Sequence, residues 1–323
     1  MNRPPLNLAI LGTGGIATRA FGPALREAAG ARLWSVLSRD LGRAHAFATE
    51  FGAAASQAAF ADLPALLSDP DLDGVIIATP DALHVEQAVA AARAGKHVLC
   101  EKPLANSGED ARIMVAAAAD ADVRLGVAYH LRWHVGHRAV AAMLDAGELG
   151  DIRHMRVQWA WPANDDSNWR AHPELGRWWS LSGVGTHCLD LIRWIMVPRC
   201  GEVDQIESVV TRAVWNGPHD ETAVVALRFQ DGATAELTSS VLFEAPSRVE
   251  VYGSTGYAIA TGTLGPHGGG RIETSAGRLD FLRRDPFVGE IEDFAAAVRE
   301  GRDPEVDGRE GLRNVELLEQ ACP

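Results

Sequence analysis

The sequence predicts an α/β protein: an N-terminal, doubly wound parallel sheet, then a second α/β domain with an open, mostly antiparallel sheet. Two observations carry this. Up to about residue 130, short apolar runs alternate with helical patterns, the arrangement of repeated strand–helix–strand units. Beyond about residue 150, several strand-like runs follow one another with turn signals between them and few helices. A chain of 323 residues has room for roughly two domains of about 150 residues. The boundary is drawn at 1–130 and 131–323.

Leu6–Leu11 (LNLAIL) is short and apolar, bounded by Pro4, Pro5 and Gly12, and reads as a buried strand. Gly12-Thr13-Gly14-Gly15-Ile16-Ala17 follows as G-x-G-x-x-A, and a helical pattern rich in Ala, Leu and Arg runs to about Ala29. Strand, glycine turn and helix form the context of a dinucleotide-binding fingerprint. Gly12 permits the tight turn, Gly14 lets a pyrophosphate approach the backbone, and Ala17 lets helix and strand pack closely. The helix N-terminus offers N–H groups and partial positive charge to phosphate. In a chain with 32 glycines, a turn without a ligand is the plain alternative.

Residues 32–37 (RLWSVL) form the second predicted strand and end in Ser38-Arg39-Asp40. A site selective for NAD(H) carries an acidic side chain here to accept from the ribose 2′-hydroxyl. Here a hydroxyl comes first, and Arg43 follows one helical turn on. Ser38, Arg39 and Arg43 suit a 2′-phosphate through charge-assisted hydrogen bonds, so NADP(H) is expected in preference to NAD(H). Asp40 argues the other way by charge, but equally suits the cap of a helix over about 41–51. Solvated surface charge is the alternative for both arginines.

The alternation continues with strands at 73–78, 96–100 and 124–129 and helices at 81–94 and 107–121. Ligands of such sheets lie beyond the carboxyl ends of the strands. That rule puts Thr79-Pro80, Glu101-Lys102-Pro103 and Tyr129-His130 on the ligand side. A lysine is ordinarily a solvated surface residue. Lys102 directly follows a buried apolar strand, which makes it a functional candidate.

Composition narrows the function. With 30 basic and 43 acidic residues the net charge is −13, which disfavours nucleic acid and anionic membrane as partners. Four cysteines, none spaced as CxxC, make no disulfide framework, and a cytoplasmic location is expected. No secretion signal, membrane span or metal site is expected.

Three stretches resemble the glucose–fructose oxidoreductase, inositol dehydrogenase and rhizopine-catabolism (GFO/IDH/MocA) oxidoreductases: GTGGIA at 12–17, the spaced pair Pro80 and His84, and AGKHVLCEKP at 94–103. The similarity continues through His130-Leu131-Arg132, Trp169-Arg170 and Gly185-Thr186-His187-Cys188-Leu189-Asp190, over residues 6–240. YHLRW and LRFQDG are similar to stretches of the reductases of 1,5-anhydrofructose and other sugars. The resemblance implies a Rossmann domain and an open antiparallel sheet. It implies hydride transfer between a nicotinamide and a sugar, cyclitol or related polyol. Lys102 would polarise the reacting oxygen and His187 would exchange the proton. Cofactor contacts would come from residues 12–17, Ser38, Arg39, Arg43, Thr79, Asp81, His84, Glu101 and Lys102, with Trp169 and Arg170 near the nicotinamide. Lys102, His130, Arg132, Trp161, His187 and Asp190 would face the substrate. A homo-oligomer through the open sheet is also implied.

In the second domain, strands are predicted at 153–161, 203–214, 222–229, 234–241, 248–252 and 257–260, and helices at 287–300 and 308–321. Five glycines in 262–272 read as a loop. A helix over 183–197 places Val184, Cys188, Leu191 and Ile195 on a core stripe, with His187, Asp190 and Trp194 on a neighbouring face. His187 is either a proton carrier or a structural histidine paired with Asp190. The family often has three glycines where this chain has Arg177-Trp178-Trp179, and an aspartate where it has Gly183. A carboxylate four residues before the histidine would flank it.

Five of the nine tryptophans (Trp159, Trp161, Trp169, Trp178, Trp179) fall within 21 residues. Indole faces stack on sugar C–H faces, and Arg170, Arg177, Asp165 and Asp166 could fix a ligand's orientation. Core or interface packing is the equal alternative for Trp178 and Trp179. The leading function is an NADP(H)-dependent oxidoreductase of a sugar-like alcohol or carbonyl. The alternatives are a glycoside hydrolase or lyase that recycles a bound NAD(P), and a catalytically impaired NADP-binding relative, motivated by Gly183.

Overall fold

The computed structural model describes residues 4–164, 168–215 and 217–323. The chain divides into two units. One comprises the described residues up to Tyr129 with Phe287–Val315; the other comprises His130–Pro286 with Glu316–Pro323. The first unit is therefore discontinuous, unlike the single cut of the sequence reading. The cause is the helix Pro286–Glu300, whose Phe287, Val288, Ile291, Phe294 and Ala295 recur at helical spacing and join the first unit's core. Phe287 meets Phe21 edge to face, with ring centroids 5.4 Å apart.

In the first unit, β1 (Leu6–Leu11), β2 (Ala31–Leu37), β3 (Ala59–Phe60), β4 (Gly74–Ile77), β5 (His97–Cys100) and β6 (Leu125–Val127) form one sheet. Its order is β3-β2-β1-β4-β5-β6 and every pairing is parallel. β1, β4 and β5 are almost wholly buried, as a sheet covered on both faces requires. The chain winds outward from β1 to β3, then restarts at β4 on the other side of β1. That reversal opens a crevice at the carboxyl ends of β1 and β4. β3 and the helix Leu63–Leu67, capped by Asp62, are additions to the predicted elements. Two and five residues are too short for periodicity to declare them.

The helix after β1 opens with a π-helical turn, Ala17–Phe21, and ends at Glu27. Asp40 accepts from the Arg43 backbone N–H at 3.1 Å and caps Leu41–Phe51. Of the two readings of Asp40, capping is the one its carboxylate serves.

In the second unit, β7 (Ile152–Ala160), β8 (Val203–Thr211), β9 (Thr222–Phe229), β10 (Thr234–Ser240), β11 (Arg248–Gly253), β12 (Tyr257–Thr261), β13 (Arg271–Thr274) and β14 (Gly277–Leu279) form a second sheet. The order is β14-β13-β12-β11-β7-β10-β9-β8. β7 and β10 run parallel; the other neighbours are antiparallel. β9 alternates buried and exposed residues along its length, the pattern of a sheet with one open face. The helix Thr186–Cys200 packs on β7 and β10. β13 begins at Arg271, inside the loop predicted over 262–272, and it and β14 are additions to the predicted strands. Their single fully buried apolar residue, Ile272, is flanked by charged residues that hide the strand in the sequence. β8 stops short of the predicted residue 214 because the Glu221 carboxylate accepts from the Val214 and Trp215 N–H groups and turns the chain.

Two polar anchors hold this unit's helices. Asp220, fully buried, accepts from the backbone N–H of Trp179 (2.8 Å) and Leu181 (2.7 Å) and from Ser180 Oγ (2.5 Å). Burial pushes its carboxyl above the ordinary range, while these donors pull it down. It thereby fixes the π-helical turn Leu181–Gly185 that opens the His187 helix. Gly185 allows that turn to sit on β10: a Cβ there would lie 2.9 Å from Ser239 Oγ.

The second anchor is a histidine pair with stacked rings 4.3 Å apart, His134 and His137. His134 Nδ1 accepts from the Gly136 and His137 N–H groups, capping Val135–Asp145, and Nε2 donates to Gly269 O at 2.9 Å. His137 Nδ1 faces Leu131 O and Nε2 faces Thr263 Oγ1. Burial first, then the neighbouring His134, lowers the His137 pKa to about 3.

Asp220→Ala strands two backbone donors and a hydroxyl; a loss of about 2–5 kcal/mol is expected in urea unfolding. The His137 shift predicts a pH dependence. Its pKa is depressed in the folded state, so its contribution is complete above pH 6.5. It is lost as pH falls from 6.5 towards 3, at up to about 1.4 kcal/mol per pH unit. Asp220 acts in the opposite sense, so the test compares slopes. Between pH 7 and 5, urea-derived stability should fall less steeply in His137→Gln than in the unsubstituted protein.

Candidate functional site

The first unit's candidate site is the glycine turn at the β1/β4 reversal. Gly12 has φ of +102°, and a Cβ there would lie 2.7 Å from Ala78 O. Only glycine both adopts this conformation and clears that carbonyl. Gly14 is different: it is exposed, and a Cβ there would meet nothing within 4 Å. Its bare backbone faces open space, the cradle that a pyrophosphate needs. Ala17 is fully buried, as close helix–strand packing requires. A Cβ on Gly15 would lie 2.7 Å from both terminal nitrogens of Arg19. Arg19, absent from the predicted set, thus lays its guanidinium on the turn.

At the end of β2, Thr13 Oγ1 donates to Ser38 Oγ at 3.3 Å, which links the glycine turn to the second strand. Ser38 is buried, and Arg39 and Arg43 are exposed. The Arg43 guanidinium lies 3.6 Å from Asp40, a pair more than half exposed on both sides and so weak. The end of β2 thus presents a hydroxyl, two exposed guanidinium groups and one carboxylate that caps the following helix.

Residues beyond β4 and β5 are mostly buried. The His84 ring is fully buried, its nitrogens each 3.1 Å from a carbonyl oxygen, those of Pro103 and Thr79. His84 thus lies between the Thr79 turn and the loop carrying Lys102, with one ring N–H to share between the two carbonyl oxygens. Thr79 Oγ1 donates to Gln87 Oε1 at 2.8 Å. Asp81, Glu101 and Lys102 are all buried, and the Lys102 N–H donates to the Glu101 carboxylate at 3.2 Å. Burial, then Glu101 and Asp81, pushes the Cys100 thiol well up, so it stays protonated.

The second unit gathers its candidates around His187 at the start of its helix. The His130 ring meets it edge-on with centroids 4.8 Å apart, and the Trp159 ring lies 5.6 Å away. His130, Arg132, His187 and Asp190 are all buried. Arg132 Nε and Nη2 donate to the two Asp190 oxygens at 2.9 and 2.7 Å. Asp190, weighed from the sequence as a partner of His187, holds a bidentate pair with Arg132. That pair ties the His130 segment to the His187 helix. Gly183 leaves room beside this helix start: a Cβ there meets nothing within 4 Å.

Trp161 donates its backbone N–H to Ser240 O. It is Trp159, two residues earlier, whose ring lies near His187. Trp178 and Trp179 are core residues: Trp178 Nε1 donates to Cys322 O at 3.0 Å, and Trp179 is 2% exposed with its ring 6.2 Å from Trp215. Trp169 and Arg170 form a half-buried pair, the guanidinium carbon 4.1 Å from the ring centroid. Asn168 caps their short turn. Asp165 and Asp166 lie outside the described residues. Among the described residues, no group of three or more His, Cys, Asp or Glu is arranged to hold a metal ion. No described helix is long and apolar enough to cross a membrane.

Comparison with known proteins agrees with both units. Residues 6–129 match the model of the oxidoreductase family with an NAD-binding Rossmann fold, and residues 137–259 match the GFO/IDH/MocA C-terminal domain. A 1,5-anhydro-D-fructose reductase of Ensifer adhaerens is 32% identical, covering 88% of this chain and 86% of its own. A D-xylose 1-dehydrogenase (NADP(+)) of Haloferax volcanii is 32% identical over 96% and 94%. The crystal structure of an aldose–aldose oxidoreductase from Caulobacter crescentus, complexed with glycerol, superposes with a TM-score of 0.90 at 25% identity, covering 98% and 96%. Sheet order, glycine turn and both matched domains together assign the chain to the GFO/IDH/MocA family of oxidoreductases.

Proposed function

We propose that this chain is an NADP(H)-dependent oxidoreductase that transfers hydride between nicotinamide and a sugar-like or polyol alcohol or carbonyl. The observation that carries the cofactor reading is the end of β2. There Ser38, Arg39 and Arg43 stand where NAD(H) selectivity needs a free carboxylate, and Asp40 is spent on capping. The name of the NADP(+)-linked xylose dehydrogenase supports it. The sugar-like substrate rests on the names of the relatives and on the Trp159 ring beside His187, an apolar face of the kind that packs on sugar C–H groups.

The nicotinamide, when bound, supplies or accepts the hydride. The protein's part is to handle the oxygen and its proton. In the reducing direction the carbonyl oxygen gains negative charge as its carbon takes hydride. The Lys102 ammonium donates a hydrogen bond to that oxygen, and His187, in its protonated form, delivers the proton that completes the alcohol. The His130 ring packs against the His187 ring, and the Arg132–Asp190 pair ties the His187 helix to the His130 segment. The Glu101 carboxylate and the His84 ring hold the Lys102 loop. Thr79, Asp81, Trp169 and Arg170 complete the cofactor side of this reading.

Purified protein titrated with NADPH and NADH by nicotinamide fluorescence should bind NADPH at least tenfold more tightly. Arg43→Ala should erase most of that preference and leave NADH unchanged. With a panel of ketoses and aldoses, net loss of nicotinamide absorbance marks the oxidoreductase; product without net cofactor change would instead mark a hydrolase or lyase. On the best substrate, Lys102→Met should lower kcat about 10²–10³-fold, the usual cost of one preorganised donor, with NADPH binding retained. Full turnover in that variant overturns the role of Lys102. If no substrate turns over until Gly183→Asp is introduced, the chain as it stands is an impaired relative.

A further inference from the structure

The Arg19 guanidinium lies on the glycine turn. It follows Gly15 by four residues, and side chains on a helix lean towards its N-terminus, so residue 19 covers the turn at residue 15. The contact is close: both terminal nitrogens lie 2.7 Å, and the central carbon 3.0 Å, from where a Gly15 Cβ would stand. Beside it, Gly14 presents bare backbone to open space. Arg19 is exposed, and among the described residues no carboxylate pairs with it. Other exposed arginines of this acidic chain are paired, Arg228 with Asp204 and Arg302 with Asp293 and Glu300. The π-helical turn Ala17–Phe21 contains Arg19, and such widened turns recur at functional sites.

We propose that Arg19 is a ligand of the dinucleotide's diphosphate. This rests on the nucleotide-binding reading of the same turn and adds a residue to it. A diphosphate lying over Gly14 receives N–H groups from the helix start, which carry only partial positive charge. Arg19 adds a full charge and a planar fork that can donate to two phosphate oxygens at once. Its place on the helix after β1 separates it from Ser38, Arg39 and Arg43, which follow β2 and serve the 2′-phosphate. The two groups of arginines therefore do different work. The β2 group sets which coenzyme is chosen, and Arg19 holds the part that both coenzymes share. The missing side chain at Gly15 is what leaves room for the guanidinium beside the turn.

The test is direct binding, independent of turnover. NADPH, NADH and adenosine 2′-monophosphate are titrated into the full-length protein and into Arg19→Ala, at low and moderate salt. Arg19→Ala should weaken NADPH and NADH by the same factor, about tenfold or more, and leave adenosine 2′-monophosphate unchanged. Arg19→Lys should recover part of the loss, keeping the charge without the fork. The effect should shrink as salt rises. Loss confined to NADPH and adenosine 2′-monophosphate would assign the guanidinium to the 2′-phosphate and overturn the proposal. Unchanged affinities for all three would make Arg19 a solvated side chain. Failure of the unsubstituted protein to bind any of them would instead overturn the nucleotide reading itself. Arg19 is exposed, so an unchanged thermal midpoint is the expected control.

Discussion

The first unit turns on the approach of two strand ends. β1 and β4 are parallel neighbours, and the chain leaves β1 through Gly12 directly against the Ala78 carbonyl. No side chain fits in that gap, and no L-residue adopts its backbone comfortably. Because the turn is forced close to the sheet, the following helix begins with its N–H groups at the crevice, and Gly14 faces outward. The same constraint brings the Thr13 hydroxyl to Ser38, so the phosphate-binding turn and the β2 end are held as one surface. The dinucleotide-binding geometry of this turn is thus a consequence of backbone packing, while in the proposed reading coenzyme choice belongs to the side chains after β2.

The second unit meets a different problem, that of aiming an imidazole. His187 lies on the second residue of its helix, where fraying would otherwise blur its position. Asp220 counters this from below by accepting the N–H groups of the preceding turn, and Arg132–Asp190 counters it from the side. Both anchors are buried ionic or polar groups, costly to desolvate and stabilising only while every partner is present. Their yield is a fixed orientation of the helix start, which the proton-transfer role proposed for His187 requires.

Most of the architecture was legible because it rests on periodicity and on glycine. Six strands in the first unit read as apolar runs except β3, whose two residues carry no period. The site was legible in parts. Lys102 and His187 stood out by their place after a strand and on a helix face. Trp159 was within reach, since it shares a strand face with Trp161, and only the end of β7 decides which indole lies by the histidine. Asp220 was not: 33 residues separate it from His187, and nothing local distinguishes it from its neighbour Glu221. Roles that depend on pairing were the least legible. Arg132 and Asp190 read as substrate-facing residues, with Asp190 also weighed as a partner of His187, and the structure pairs them with each other, a contact across 58 residues that no local pattern announces. His84 likewise read as a cofactor contact, and its two carbonyl neighbours come from 5 and 19 residues away.

Net charge and local charge also lead to different conclusions. A surplus of 13 negative charges repels polyanions at long range, yet a dinucleotide is met at short range, well inside the screening length of about 8–10 Å. At that distance the field belongs to the nearest groups. Around the glycine turn these are peptide N–H groups, Arg19, and the arginines after β2. The nearest carboxylate of that set, Asp40, is partly neutralised by its cap and by Arg43. An acidic protein can therefore hold an anionic coenzyme without a basic surface.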